Sequence, residues 1–416
     1  MAFLLHVFTG QFSQGASMNA LMKDPLHEFD DFYLGEEEAL KKLQQLDRII
    51  EKKSKYFLGY PCNEAFKLEK FFKWWSTSSL SRSAMNDVGN PLSKSSYGLN
   101  ARPFEISVLE YFSKLFKIKD YWGYVTSGGT QGNEQGLYLG RESLAKDGKP
   151  ILYFTEDAHY SIASLGKILS IEMRIIRSFG NGEMDEADLM RKLDSERPAL
   201  FSLSIGTTFK GAIDRIETVQ QIVRQKGLTH VFYHADAALF GGYLPFYSDS
   251  SKPNLDFEKF PYDSIAVSGH KFFGSPTPLG VFLTKAKYAT ELKGDYIEYI
   301  HSQNITIPCS RSSLNTLIFW WTLMTTPQTE FKKAADKMIE HAEYFYGELK
   351  KRNHPVWLNP HSNTVFFKAP SQEVVDHWTL STYTCPKLGP LAHAIVMPHV
   401  TKEMIDEFLN EFFHST

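Results

Sequence analysis

Asp263-Ser-Ile-Ala-Val-Ser-Gly-His-Lys-Phe-Phe-Gly-Ser-Pro-Thr-Pro-Leu-Gly280 is the stretch from which the rest of the chain can be read. An apolar run (Ile265, Ala266, Val267) stops at Ser268, Gly269, His270 and Lys271, and glycines and prolines follow at once. Such a run ends a buried strand and sets polar side chains at its tip. A lysine held against apolar surface loses part of its preference for the charged form, and its amine becomes nucleophilic enough to form a Schiff base. Most lysines are solvated surface groups. Lys271 therefore acquires meaning only from its company.

Outward from this stretch, apolar runs fall near 151–154, 171–176, 199–205, 230–235 and 280–284, with helical patterns near 130–146, 160–170, 185–193 and 214–226. Strand–helix alternation of this kind predicts a mainly parallel sheet with helices on both faces. Upstream lie a turn-rich loop over 86–100 and a helix over 104–116. Beyond about residue 310 the pattern changes to helices at 313–324 and 328–351 and short strands around 363–368 and 392–398. The expected division is an N-terminal arm and dimerisation segment (1–80), a large α/β domain (81–308) and a small C-terminal α+β domain (309–416).

Residues 1–35 have no clear period. Their apolar start, Met1-Ala-Phe-Leu-Leu-His-Val-Phe8, lacks a basic leader and is read as a disordered or packing segment rather than a signal peptide. Leu40, Leu43, Leu46, Ile49 and Ile50 form a helical stripe over 36–55. An aromatic cluster follows at Phe71, Phe72, Trp74 and Trp75. So much apolar surface ahead of the main domain asks for cover, and a partner subunit would supply it.

Charge is nearly balanced, with 45 basic against 48 acidic residues, so no global field argues for nucleic acid or membrane partners. Cys62, Cys309 and Cys385 are odd in number and far apart, which fits a reducing compartment and offers no metal spacing. No apolar run approaches the ~20 residues of a membrane span. The expectation is a soluble cytoplasmic enzyme.

Four further motifs fall at strand ends. Thr126-Ser-Gly-Gly-Thr-Gln-Gly132 joins a strand to a helix: glycines let backbone approach an anion, and hydroxyls and the helix N-terminus attract it. It is neither a P-loop nor a dinucleotide fingerprint. Gly132, Gly136 and Gly140 give that helix a smooth face for close packing. His230-Val-Phe-Tyr-His-Ala-Asp-Ala-Ala238 is a buried strand ending in a carboxylate, Asp236. Glu156-Asp-Ala-His159 puts an imidazole at the same edge, and Ile205-Gly-Thr207-Thr208 adds hydroxyls. An anion cradle, a flat imidazole, a carboxylate and a Schiff-base lysine are what a pyridoxal 5'-phosphate site requires. A competing reading makes His234, Asp236 and His159 or His270 zinc ligands of a hydrolase, which leaves Lys271 unexplained. A non-catalytic scaffold is a third, against which the joint presence of Lys271, Asp236 and His159 argues.

Together, Thr126–Gly132, His159, His234–Ala238 and Ser268–Lys271 resemble the group II pyridoxal-phosphate-dependent amino-acid decarboxylases, in the branch of bacterial histidine decarboxylases and plant serine decarboxylases. The resemblance runs from about Leu58 to the C-terminus. It implies an aspartate-aminotransferase-like α/β fold (fold type I) with a mainly parallel seven-stranded sheet, and a homodimer or higher homo-oligomer. By the same resemblance Lys271 forms the Schiff base, Asp236 pairs with the pyridine nitrogen and His159 stacks on the ring. Ser127, Gly128, Thr130 and Ser268 serve the phosphate, His270 is a further cofactor contact, and Thr207 lies near the ring hydroxyl. No metal is implied. Leu58-Gly-Tyr-Pro, Asp87-Val-Gly-Asn-Pro, Ser96-Tyr-Gly-Leu-Asn-Ala-Arg-Pro-Phe-Glu105 and Ala392-His-Ala-Ile-Val-Met-Pro398 look more like the plant serine enzymes. Decarboxylation of L-serine to ethanolamine is therefore expected, with L-histidine to histamine as the alternative. Cys309-Ser-Arg-Ser-Ser-Leu-Asn315 departs from the family's Gly-Ser-Arg-Asn-Gly-His. Tyr299, rather than Tyr296, matches a loop tyrosine that relatives place over the neighbouring subunit's site, where it would protonate the substrate's α-carbon.

Overall fold

A computed structural model describes residues 33–292 and 294–414. The reading of Met1–Phe8 therefore lies outside the described residues. Among the described residues, those up to Phe57 fall in one compact unit and those from Leu58 onward in another. In the first, the helix Gly35–Ser54 opens on Glu36, Glu37 and Glu38 and closes on Lys52 and Lys53, the charge order a helix dipole favours. The apolar stripe forms, yet all five of its side chains are exposed.

The second unit begins its strands with β1 (Asp87–Val88). There follow β2 (Tyr121–Thr126), β3 (Ile151–Thr155), β4 (Glu172–Ile176), β5 (Ala199–Ser204), β6 (Val231–Asp236), β7 (Ser264–Ser268) and β8 (Gly280–Lys285). These last seven form one sheet in the order β2-β8-β7-β6-β5-β3-β4. β4, β3, β5, β6 and β7 run parallel, and β8 is antiparallel to both of its neighbours. The helices Tyr160–Ile168, Glu186–Lys192 and Ile216–Gln225 are the crossovers parallel strands need. After β7 there is only a turn, so β8 comes straight back. That turn carries Lys271.

Every residue of β3, β5 and β7 is buried, as expected of strands covered on both faces. The helix Gly129–Leu144 lies on the sheet through its glycine face. A Cβ on Gly132 would stand 2.7 Å from that of Ala266, and one on Gly136 would run into the His234 ring. A Cβ on Gly140 would crowd Leu200 and Phe232. The spacing seen in the sequence is thus a packing device.

β9 (Asp295–Ile297) and β10 (Ser302–Asn304) make a hairpin, while β11 (Ser310–Arg311) pairs with β1. The helices Ser313–Thr325 and Gln328–Lys351 lead to an antiparallel sheet of β12 (Val356–Leu358), β13 (Thr364–Lys368), β14 (Ser381–Cys385) and β15 (Gly389–Ile395). Its order is β12-β13-β15-β14. The sequence reading found β13 and β15 and missed the edges. β14 exposes Thr382, Tyr383 and Thr384 in succession, so it carries no alternating apolar signal.

The β1–β11 pairing draws the 86–100 loop onto the 309–316 segment through a buried polar network. Glu105 accepts from the Val125 N–H (3.0 Å) and from Arg311 Nε and Nη2 (3.3 and 3.0 Å), while Arg311 Nη1 donates to the Gly89 carbonyl (2.9 Å). Asp87 accepts from the Ala101 N–H (2.6 Å), Ser313 Oγ (2.8 Å) and Thr316 Oγ1 (3.0 Å).

Candidate active site

The carboxyl ends of β2, β5, β6 and β7 converge on a cavity of about 490 Å³. Lys271, Asp236, His159, Ser127, Gly128, Thr130, Ser268 and His270 all line it. Ligands in open α/β sheets bind at such an edge.

The cradle is built from what is missing on its side chains. Gly128 has φ +128° and ψ −179°, a conformation open to glycine alone. Gly129 opens the helix and donates its N–H to Ser268 Oγ (3.1 Å); a Cβ there would stand 2.7 Å from that oxygen and 2.8 Å from Ala238 Cβ. Thr126 Oγ1 donates to the Gly128 carbonyl (3.0 Å), and Gln131 Oε1 accepts from the Ser127 N–H (2.9 Å). Ser127 and Thr130 are exposed and line the cavity at the positive end of the helix.

Asp236 ends β6 at 6% exposure, and one of its oxygens accepts from the Ala238 N–H at 3.3 Å. That is its only side-chain hydrogen bond among the described residues. A carboxylate buried with so little support is set for a cationic or donating partner from outside the chain. His159 caps the helix Tyr160–Ile168, and its Nδ1 accepts from the Ser161 N–H (3.3 Å). Nδ1 thus acts as an acceptor, which leaves the proton of the neutral ring on Nε2. Burial pushes the His159 pKa down, against the pull of Asp236. Burial also lowers the pKa of Lys271, with Asp236 opposing, so part of the cost of its free amine is already met. His270 is held by its Nδ1 against the Leu279 backbone (2.9 Å to the carbonyl).

Thr207 is not among the lining residues. Its Oγ1 is buried and accepts from the Ala212 N–H (2.9 Å), and its neighbours Gly206 and Thr208 line the cavity instead. The expected Thr207 is thus replaced along the cavity wall by the residues on either side of it. Tyr299 is not among the lining residues and is 80% exposed, and Tyr296 Oη bonds with His301 Nδ1 (3.2 Å). His234 is sealed under Gly136 with Nδ1 on Ser264 Oγ (2.8 Å) and Nε2 on Asn133 Oδ1 (2.9 Å). Burial drives its pKa down to about 3. Both nitrogens are engaged, so His234 cannot serve the zinc reading. Among the described residues no cluster of His, Cys, Asp or Glu could hold a metal ion. Pro61, Tyr160 and Pro278 also line the cavity. Pro61 and Pro278 fall inside stretches already singled out in the sequence, and Tyr160 stands next to His159.

Residues 139–369 match the family described as "Pyridoxal-dependent decarboxylase conserved domain". The chain is 35% identical to serine decarboxylase 1 of Oryza sativa subsp. japonica, over 94% of this chain and 78% of that one. It is 38% identical to the histidine decarboxylase of Pseudomonas fluorescens, over 86% of each. The histidine decarboxylase of Solanum lycopersicum is 36% identical over 88% of this chain and 86% of its own. Among solved structures, the L-methionine decarboxylase from Streptomyces sp.590 shares the fold with a TM-score of 0.82 at 23% identity, covering 93% of this chain and 97% of that one.

Proposed function

The chain belongs to the pyridoxal-dependent decarboxylase family, and on that premise we propose that it removes the α-carboxylate of L-serine to give ethanolamine and CO2. The observation that carries the reading is the meeting of Lys271, Asp236 and His159 in one cavity floored by glycine. The residues fit pyridoxal phosphate: a Cβ at Gly129 would fill the cradle, and the Asp236 carboxylate lacks a strong partner. When bound, the cofactor supplies the conjugated ring that accepts the electron pair left by the departing carboxylate.

The chain's own groups divide the remaining work. Lys271 offers an amine whose protonated form is disfavoured by burial. Asp236 would hold a proton on the pyridine nitrogen and His159 would lie against the ring face. Ser127, Gly128, Thr130 and Ser268 would take the phosphate, beside His270. The substrate loses CO2 and gains one proton at its α-carbon. We assign that proton to Tyr299 of a second copy. Its exposed ring supports this, as do Phe72 and Trp74, exposed on the helix Glu69–Thr77, which would be covered in a homodimer. No helix among the described residues is long and apolar enough to cross a membrane. Three free cysteines suit the cytoplasm. We keep the division at residues 80 and 308 as the functional one.

Serine is preferred over histidine because the stretches 58–61, 86–105 and 392–398 look more like the plant serine enzymes. Cofactor-loaded protein should therefore form ethanolamine from L-serine with a higher kcat/KM than histamine from L-histidine. The reverse ranking overturns the substrate, and absence of CO2 from every small amino acid overturns the reaction.

A further inference from the structure

Lys271 sits in a short π-type turn, His270–Gly274, whose length leaves several carbonyls without helical partners. On the upstream side its backbone is fixed by Gly269, whose N–H donates to the Leu279 carbonyl (2.8 Å). On the downstream side the fastening comes from a residue more than 200 positions away. The Asn63 N–H donates to the Lys271 carbonyl (3.0 Å), and Asn63 Nδ2 donates to the Phe272 carbonyl (2.8 Å). Asn63 Oδ1 in turn accepts from the Ala65 N–H (2.8 Å), which orients the amide. Asn63 is 6% exposed, so these bonds are screened from water. The turn ends at Gly274 (φ +81°), where a Cβ would stand 3.1 Å from the Asn63 carbonyl oxygen.

The irregular segment that carries Asn63 is itself pinned at its start. The Ile395 N–H donates to the Leu58 carbonyl (2.8 Å), and Leu58 donates to the Trp378 carbonyl (3.3 Å). Buried His393 reaches the Gly59 carbonyl with Nε2 (3.1 Å). Between the two anchorages, Pro61 lines the cavity and Cys62 lies within electrostatic reach of Lys271. The small C-terminal sheet is thereby tied through residues 58–63 to the backbone of the lysine.

We infer that Asn63 is a positioning residue for Lys271, fixing the two consecutive carbonyls of its turn so that the amine is aimed at the cavity. The inference rests on the assignment of Lys271 as the cofactor-binding lysine. A side chain hung from a loosened turn samples more orientations, and misplacement by about 1 Å costs on the order of 10²-fold in rate.

Two variants of the full-length, cofactor-loaded protein test this. Asn63→Ala removes the donor to Phe272. Asn63→Asp keeps the shape and the acceptor for Ala65 but sets a carboxylate oxygen against the Phe272 carbonyl. Both should lower kcat by about 10- to 100-fold with KM changed by less than about threefold. Both should shift the pH midpoint of the visible band of the lysine-bound cofactor, and speed amide hydrogen exchange over residues 269–275. Asn63→Asp should recover towards the unaltered protein as pH is lowered, because a protonated Asp can donate again. An unaltered midpoint and exchange rate in both variants overturns the inference. So does a fall in Tm with neither changed. If Asn63→Ala does not fold, Asn63→Asp decides alone. Absence of the visible band from the unaltered protein would instead overturn the assignment of Lys271, leaving hydrogen exchange to judge Asn63.

Discussion

Two buried carboxylates teach different things about this molecule. Glu105, in the junction between the 86–100 loop and β11, has every oxygen occupied: the Val125 N–H and two nitrogens of Arg311 converge on it. Asp236, at the cavity edge, has one long hydrogen bond from Ala238. Burial is nearly the same, at 0% and 6% exposure. The partners are not. A carboxylate whose bonds are complete inside the chain holds the chain together; one left incomplete is held ready for something that arrives.

The contrast can be broken at either end. On the proposed pairing of Asp236 with the pyridine nitrogen, Asp236→Asn should lower kcat by about 10²–10³-fold through loss of that electrostatic support. Its unfolding midpoint should be unchanged or raised, since a poorly paired buried charge has gone. Steady-state kinetics beside calorimetry reads both. A large fall in Tm with catalysis intact would put Asp236 in the same class as Glu105.

Arg311→Met should do the opposite to stability. It leaves the buried Glu105 carboxyl, whose pKa burial already pushes up, without the partner that opposes that rise, at a cost of about 3–5 kcal/mol read by denaturant unfolding. Replacing Glu105 as well, by Leu, should recover most of that loss. If the single change costs under about 1 kcal/mol, the junction is not the structural lock described above.

His234 sharpens the same point two residues from Asp236. Its folded pKa of about 3 lies below the ordinary histidine value of about 6.5. As pH falls below about 6.5 the unfolded chain takes up a proton that the folded chain refuses, so stability is lost down to about pH 3. His234→Asn should remove up to about 1.4 kcal/mol per pH unit from that acid slope. An unchanged slope would show that another group sets it.

The smallest effect belongs to Tyr299, which the junction holds by its backbone: Ser96 Oγ donates to its carbonyl (3.0 Å), and the Ser96 N–H to that of Ile300 (2.9 Å). Tyr299→Phe should leave cofactor binding and CO2 release in place while raising aldehyde and pyridoxamine phosphate at the expense of amine. Tyr296→Phe should keep amine as the main product. Product analysis separates them. Unaltered amine yield from Tyr299→Phe would place the proton donor elsewhere.

The sequence alone determined the strand–helix alternation of a mainly parallel sheet, because buried strands and amphipathic helices write their periods locally, and the count of seven strands came from the family resemblance. It also marked Lys271, Asp236, His159 and the Gly128 cradle, since each stands where a strand stops and the chain must turn. Tertiary structure decided what no local pattern encodes. Which of Thr207 and Thr208 lines the cavity goes with the turn that ties Thr207 Oγ1 to the Ala212 N–H. That His234 is sealed while Asp236 is open depends on where the glycine face of a distant helix ends. That Asn63 holds the turn of Lys271 is a contact across more than 200 residues. Hydrogen bonds of that separation leave no periodic trace, because they are made by folded proximity rather than by neighbours in the chain.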